Sequence, residues 1–77
     1  MKRARDDLLL KKIGSKISEI RKEQGISQSQ LAFEASIPLM QVSRIERGVN
    51  NSSISTLSAI ARALDVSLTE IVDVEGH

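Results

Sequence analysis

The sequence predicts an all-α domain built from five short helices. Apolar residues recur at spacings of three and four over most of its 77 residues, and no useful length alternates apolar and polar residues as a half-buried strand does. Glycine-containing or polar interruptions divide this pattern into five stretches. Two stretches begin with a capping box, Ser27-x-x-Gln30 and Ser67-x-x-Glu70, whose side chains can satisfy backbone N–H groups of a first helical turn.

The first helix is expected to follow a short basic segment. Asp6 or Asp7 can cap it, because a carboxylate is favoured at the positive end of the helix dipole. The helix should reach about Gln24, with Gly25 as its C-terminal stop. We expect residues 1–6 to form a flexible basic arm.

The second and third helices are separated by a tight turn. The second should span about residues 28–35 and the third about residues 38–47, with Val42 and Ile45 on the buried face of the third. The outer face of that helix mixes polar and apolar residues. A capped helix, a turn and a second helix of this kind are typical of a helix-turn-helix that reads DNA.

The last two helices follow a polar loop. Gly48 ends the third helix, and Ser53 can cap a fourth that runs from Ile54 to about Leu64. The second capping box starts a short fifth helix that carries Leu68, Ile71 and Val72. Residues 73–77 are expected to form a loose tail.

The core has to be aliphatic, because Phe33 is the only aromatic residue in the chain. We expect it to contain the apolar residues that face inward on the five helices and their turns: Ile13, Ile17, Ile20, Ile26, Leu31, Ala32, Ala35, Ile37, Val42, Ile45, Ile54, Leu57, Ile60, Ala61, Leu64, Leu68 and Ile71. Phe33 itself either folds over the edge of this core or marks a surface for a partner. Residues 1–77 would form one domain, since a chain of this length has no room for a second core.

Composition argues against several function classes. The chain has no cysteine and a single histidine, so neither a disulfide nor a zinc site is expected, and no cofactor or small-molecule ligand is. No apolar run approaches the roughly 20 residues of a membrane span, and no signal-peptide core follows the basic N-terminus, which favours a cytoplasmic protein. An enzyme is not supported, because no phosphate-binding loop and no nucleophile with a neighbouring base is present.

Charge is unevenly distributed along the chain. The net charge is +1, but residues 1–24 hold eight Lys/Arg against four Asp/Glu, a surplus of +4. Residues 65–77 hold four Asp/Glu and no Lys/Arg, a charge of −4. Such a dipole orients a protein towards a polyanion better than its net charge suggests.

Three motifs, in order and at consistent spacing, carry a resemblance to a known family. They are I-R-K-E-Q-G-I-S-Q-S-Q-L-A, S-R-I-E-R-G and I-A-R-A-L-D-V-S. From about Ile13 to Ile71 the sequence resembles the Cro/repressor-type helix-turn-helix family, also called the XRE family. The resemblance implies a compact, five-helix, lambda-repressor-like domain that binds double-stranded operator DNA, usually as a two-fold dimer.

The resemblance also implies roles for matching residues. In this family the second helix of the motif lies in the major groove and the first lies across the DNA backbone. The positions that match base-facing residues are Leu39, Met40, Gln41, Ser43 and Arg44. Those on the backbone-contacting side are Ser27, Gln28, Arg47, Asn50 and Asn51. The family further pairs a basic residue of the first helix with an acid at the end of the recognition helix, here Arg21 and Glu46.

The chain departs from the family pattern at three places. Pro38, Leu39 and Met40 replace the usual polar cap and leading residues. Proline suits a first helical turn, and Leu39 and Met40 would contact thymine methyl groups or a protein. Ser36 replaces a frequent turn glycine, and Phe33 stands where a polar residue is usual.

These departures leave two functions open. The first is a homodimeric, sequence-specific transcriptional regulator whose dimer contacts come from Leu68, Ile71 and Val72. The second is a protein-interaction module or antitoxin-type partner that keeps the fold, with DNA binding weak or secondary. RNA polymerase and a toxin are the further partners that the sequence suggests.

Overall fold

A computed structural model describes residues 2–74, with side chains from residue 7 onward. In this part of the chain it contains five helices and no strand: α1 (Lys2–Glu23), α2 (Gln28–Ala35), α3 (Leu39–Arg47), α4 (Ile54–Ala63) and α5 (Leu68–Val72). The predicted all-α, five-helix fold is confirmed. α3 begins one residue later than predicted, because Pro38 occupies its N-cap position.

The start of α1 differs from the prediction. Neither Asp6 nor Asp7 caps the helix, because α1 begins at Lys2 and both aspartates lie within it. Lys, Arg and Ala all favour helical backbone, so the basic segment continues the helix instead of preceding it. The backbone of residues 2–6, which belong to the predicted flexible arm, is therefore helical, while Met1 lies outside the described residues.

Serine side chains cap three of the helices at their N-termini, as predicted. The hydroxyl oxygens of Ser27, Ser53 and Ser67 accept the backbone N–H three residues later, at 3.0, 3.1 and 3.2 Å. Each bond satisfies one of the donors that the first helical turn leaves without an intrahelical partner. α3 has no such bond at Pro38.

The C-termini of α1 to α4 share one arrangement. The residue in the left-handed region is Gly25, Ser36, Gly48 or Asp65, with φ between 59° and 76°. The residue after it donates its N–H to the carbonyl five positions back, at 2.9–3.3 Å. This is the Schellman motif, which satisfies carbonyl groups at a helix end and turns the chain sharply. The turn of the helix-turn-helix is therefore set by Ser36, at the glycine-like position.

The core lies between the five helices. α1 packs against α3 and α5, α2 against α3 and α4, and α4 against α5. The largest fully buried side chains are all aliphatic and all predicted: Ile17, Leu31, Val42, Ile60, Leu64 and Ile71. Val74, from the predicted loose tail, is also buried, which corrects that part of the prediction; residues 75–77 lie outside the described residues.

Ile54 lies outside the core, contrary to expectation, and Phe33 takes the second of its two predicted positions. Ile54 is 66% exposed, because it is the first residue of α4 and lies at the open end of the helix. Phe33 is 84% exposed, so it does not fold over the edge of the core. Phe33 lies on the outer side of α2, whose buried side holds Leu31, Ala32 and Ala35.

Candidate nucleic-acid interface

The outer face of α3 carries the residues predicted to read bases. Because successive helical residues are about 100° apart, the side opposite the buried Val42 and Ile45 holds Met40, Ser43, Arg44 and Arg47. Leu39 and Gln41 flank that side. All five predicted base-facing residues reach the surface, and Leu39, Met40 and Arg44 are exposed. The outer side of α3 and its two edges thus carry two arginines, two uncharged polar side chains (Gln41 and Ser43) and two flexible apolar side chains (Leu39 and Met40).

The leading end of α3 is apolar and lacks a side-chain cap. Pro38 holds φ at −64°, and its carbonyl accepts the N–H groups of Gln41 and Val42 at 3.0 and 3.2 Å. The N–H groups of Leu39 and Met40, the first two residues of α3, belong to the positive end of the helix dipole. These donors and the side chains of Leu39 and Met40 lie at the same end of the helix. This end can therefore contact an acceptor and a methyl group together.

A carboxylate at the other end of α3 joins three helices. Glu46 accepts two hydrogen bonds from the Arg21 guanidinium, from Nε to Oε2 at 2.7 Å and from Nη2 to Oε1 at 3.1 Å. The Arg21 and Glu46 side chains are 11% and 5% exposed, so solvent screens the pair little. Arg21 also donates from Nη1 to the carbonyl of Ile26 at 2.8 Å. The structure thus forms the expected ion pair and fixes α3 on α1.

Gln28 belongs to the same network. Its side-chain Nε2 donates to Glu46 Oε1 at 2.9 Å, a contact that the sequence did not predict. An amide nitrogen has two N–H groups, so one remains for the predicted phosphate contact. Ser27 uses its hydroxyl as the α2 cap, which leaves its hydroxyl proton as a donor. Both residues lie at the N-terminus of α2, where backbone N–H groups and the helix dipole favour an anion.

The end of α3 and the loop after it contain the remaining predicted backbone contacts. Arg47 and Asn51 are exposed and Asn50 is half-buried. The two asparagines line a cleft together with apolar residues from α1, α3 and α4: Leu9, Leu10, Ile13, Ile45 and Leu57. The loop therefore lies beside the N-terminal half of α1.

Two glycines allow α1 to lie directly on the C-terminal end of α3. A Cβ atom at Gly14 would overlap the carbonyl oxygen of Ile45 and lie 2.7 Å from that of Glu46. A Cβ atom at Gly48 would lie 2.5 Å from Lys11 Cα. The sequence reasoning missed Gly14, although an isolated glycine inside a helical pattern often has a packing reason. Both contacts fix the position of α3.

One residue of the predicted dimer interface is not available. Ile71 is completely buried in the core of its own chain, so it cannot contact a second copy without unfolding. The sequence placed Ile71 both in the core and in the dimer interface, and the structure confirms only its place in the core. Leu68 and Val72 are half-buried, and their exposed parts can still contribute to a dimer.

Other kinds of site find no support in the described residues. In that part of the chain, no group of His, Cys, Asp or Glu is arranged to hold a metal ion. No helix among residues 2–74 is both long and apolar enough to cross a membrane.

Comparison with known proteins identifies the family. A helix-turn-helix family profile matches residues 17–71. The chain is 41% identical over 63 residues to the immunity repressor protein of Bacillus phage phi105, covering 82% of this chain and 44% of the repressor. It spans 42% and 59% of two further curated relatives, the regulators SlrR and SinR of Bacillus subtilis. The chain thus spans about half the length of these relatives.

Solved structures agree with this assignment. The restriction-modification controller protein C.AhdI from Aeromonas hydrophila superposes with a TM-score of 0.79 at 35% identity, covering 80% of this chain and 94% of the controller. The controller protein C.Esp1396I, as a tetramer in complex with its natural 35-base-pair operator, gives 0.77 at 34% identity, covering 84% and 90%. The capped α2, the Ser36 turn and the exposed face of α3 therefore form the motif of a protein that belongs to the XRE-type helix-turn-helix family.

Proposed function

We propose that this protein is a transcriptional regulator that binds double-stranded operator DNA in a sequence-specific way, with α3 in the major groove. The observation that carries the proposal is the outer face of α3, which is exposed while the Glu46 network holds the helix rigidly on α1 and α2. Base readout needs such a helix, because a side chain displaced from its base edge loses its hydrogen bond. The similar C.Esp1396I protein in complex with its operator supports the same function.

Specificity would come from two kinds of contact on α3. Arg44 is exposed opposite the buried face, and its guanidinium can donate two parallel hydrogen bonds to guanine. Gln41 and Ser43 can bond to other base edges, and Leu39 and Met40 can contact thymine methyl groups. Ser27, Gln28, Arg47, Asn50 and Asn51 would hold phosphates on the two sides of the groove and set the register of α3.

We further propose that the protein acts as a homodimer. Two copies related by a two-fold axis would place their recognition helices about 34 Å apart, so that they read half-sites one helical turn apart. The exposed parts of Leu68 and Val72 are the proposed contacts. Such a regulator acts on DNA in the cytoplasm and needs no catalytic residue. Contacts with RNA polymerase or a toxin stay predictions from the sequence.

A protein-interaction module is the less supported alternative. The exposed Phe33 favours it, because a large aromatic side chain on a surface often marks a contact site. The relatives, however, are described as repressors and transcriptional regulators. Phe33 can serve a partner without replacing the DNA-binding role of α3.

The test is a titration of the purified protein against two duplexes at low and moderate salt. One duplex, the promoter duplex, carries the DNA upstream of the gene that encodes this chain. The other, the scrambled duplex, has the same composition in scrambled order. A specific regulator binds the first duplex on the order of 1,000-fold more tightly than the second. Both affinities fall as salt rises, because phosphate contacts release counterions. Equal and weak binding to the two duplexes would contradict the proposal.

A further inference from the structure

The N-terminal part of α1 lies outside the segment that defines the family. The family profile begins at Ile17, whereas α1 begins at Lys2. This earlier part of the helix lies beside the loop after α3: Leu9, Leu10 and Ile13 line one cleft with Asn50 and Asn51. The helix therefore brings its own side chains next to residues proposed to contact the DNA backbone.

Lys11 packs on Gly48, where the loop begins. The Cβ position of Gly48 lies 2.5 Å from Lys11 Cα, 2.9 Å from its backbone nitrogen and 2.7 Å from its Cγ. The backbone and the first part of the lysine stem thus pack on Gly48, which has no side chain to push them away. The Lys11 side chain is exposed. Because the first part of its stem lies on Gly48, its flexible end can reach the surface around residues 47–51.

We propose that Lys11 binds a DNA phosphate and extends the interface from the helix-turn-helix onto α1. This inference rests on the proposed DNA-binding function. Arg47 at the end of α3, and Asn50 and Asn51 in the loop after it, are exposed or half-buried. They lie within three residues of Gly48, on which Lys11 packs, and are the proposed neighbours of the same phosphate stretch. A lysine on a flexible four-carbon stem can follow a phosphate as a point charge without a fixed geometry. Its contact adds affinity to every sequence alike.

A purely structural role for Lys11 makes a different prediction. The residue lies next to the C-terminal end of α3, whose carbonyl groups and dipole favour a cation. Loss of that role would lower the unfolding temperature but leave the number of DNA-bound phosphates unchanged. The dependence of DNA affinity on salt distinguishes the two roles, because its slope counts the neutralised phosphates.

The experiment compares the unaltered protein with Lys11→Gln, Lys11→Arg and Arg62→Gln. Arg62 is exposed on α4, where it lines a groove with Glu34 and Ala59, away from the loop. Arg62→Gln therefore removes the same unit of charge without touching the proposed interface. The dissociation constant is measured on the promoter duplex and on the scrambled duplex at several salt concentrations, and far-UV circular dichroism checks that each variant is folded.

We expect Lys11→Gln to reduce the slope of log affinity against log salt by about one unit. Its affinity for both duplexes should fall by the same factor, while Lys11→Arg and Arg62→Gln keep the original slope. A Lys11→Gln slope equal to that of the unaltered protein overturns the assignment, and so does a loss confined to the promoter duplex. If the unaltered protein shows no salt-dependent binding, the proposed function fails and this inference fails with it.

Discussion

Glu46 is the residue on which the position of α3 depends. Its nearly buried carboxylate accepts hydrogen bonds from Arg21 and from Gln28, so one side chain connects α1, α2 and α3. A surface ion pair contributes about 0–1 kcal/mol, but removing one partner of a buried pair leaves an uncompensated charge and costs about 3–5 kcal/mol. For a small domain that is a large part of its whole stability.

We therefore expect Glu46→Ala to lower the free energy of unfolding by about 3 kcal/mol or more. Urea denaturation followed by far-UV circular dichroism measures this change. The matched control is Glu34→Ala, which removes an exposed carboxylate from α2 and should change the free energy by less than about 0.5 kcal/mol. A loss below about 1 kcal/mol for Glu46→Ala would show that the pair behaves as a surface pair.

Substitutions of Arg44 and Gln28 distinguish contacts that read bases from contacts that position the protein on the DNA backbone. Arg44→Ala should reduce discrimination at particular base pairs by about 1–3 kcal/mol, because a bidentate contact with guanine is lost. Gln28→Ala should weaken binding to all duplexes by a similar factor, because it removes a phosphate donor and a bond to Glu46. Affinities for a set of single-base variants of the bound duplex measure both effects. Unchanged preference in Arg44→Ala would remove Arg44 from the readout.

At the scale of the elements, the helix ends are set by local chemistry. Serine caps begin α2, α4 and α5, and residues in the left-handed region end α1 to α4. Ser36 is the least suited of these residues, because its Cβ is crowded at φ 59°, where glycine has no such penalty.

Ser36→Gly should consequently raise the free energy of unfolding by about 0.5–1 kcal/mol, since relief of the crowding exceeds the extra flexibility of an unfolded glycine. For a domain of this size the unfolding temperature would rise by several degrees. The matched control is Ser58→Gly in the interior of α4, where the same change should destabilise by about 0.5 kcal/mol. A thermal scan that gives both variants the same sign would contradict this account of the turn.

The sequence predicted what is local and missed what depends on distant neighbours. Caps, stops and apolar spacing lie within a few residues of one another, so the boundaries of α2 to α5 were predicted to within a residue. The contacts of Gly14 with α3 and of Gln28 with Glu46 join residues more than fifteen positions apart, and no local pattern shows them. Likewise, spacing alone did not show that Phe33 faces solvent. The base-contacting residues stay predictions.

For the whole molecule, the surface available for self-association is the main open prediction. With Ile71 buried, the exposed parts of Leu68 and Val72 are what remains of the predicted dimer contacts. A dimer bound to two half-sites gains affinity from the connection between its subunits, on the order of 100-fold or more over a single copy. Dimerisation would then control how much operator is occupied.

Val72→Lys should shift the protein towards monomer, because it places a charge in the proposed apolar contact. Sedimentation velocity at several protein concentrations reports the change, and affinity for the promoter duplex should fall by about 100-fold. Phe33→Lys is the comparison, since it introduces the same charge on α2 and should leave the dimer intact. If Phe33→Lys alone dissociates the dimer, self-association takes place through α2.

The position of Phe33 also determines how the molecule can be observed. The chain has no tryptophan and no tyrosine, so its single phenylalanine, 84% exposed, is the only aromatic chromophore. Ultraviolet absorbance and fluorescence are therefore nearly silent about the aliphatic core, and they cannot follow its unfolding. A fluorine label on that ring would instead give a single NMR resonance from the surface of α2. Its shift would report whatever covers that face, while the rest of the protein stays invisible to the measurement.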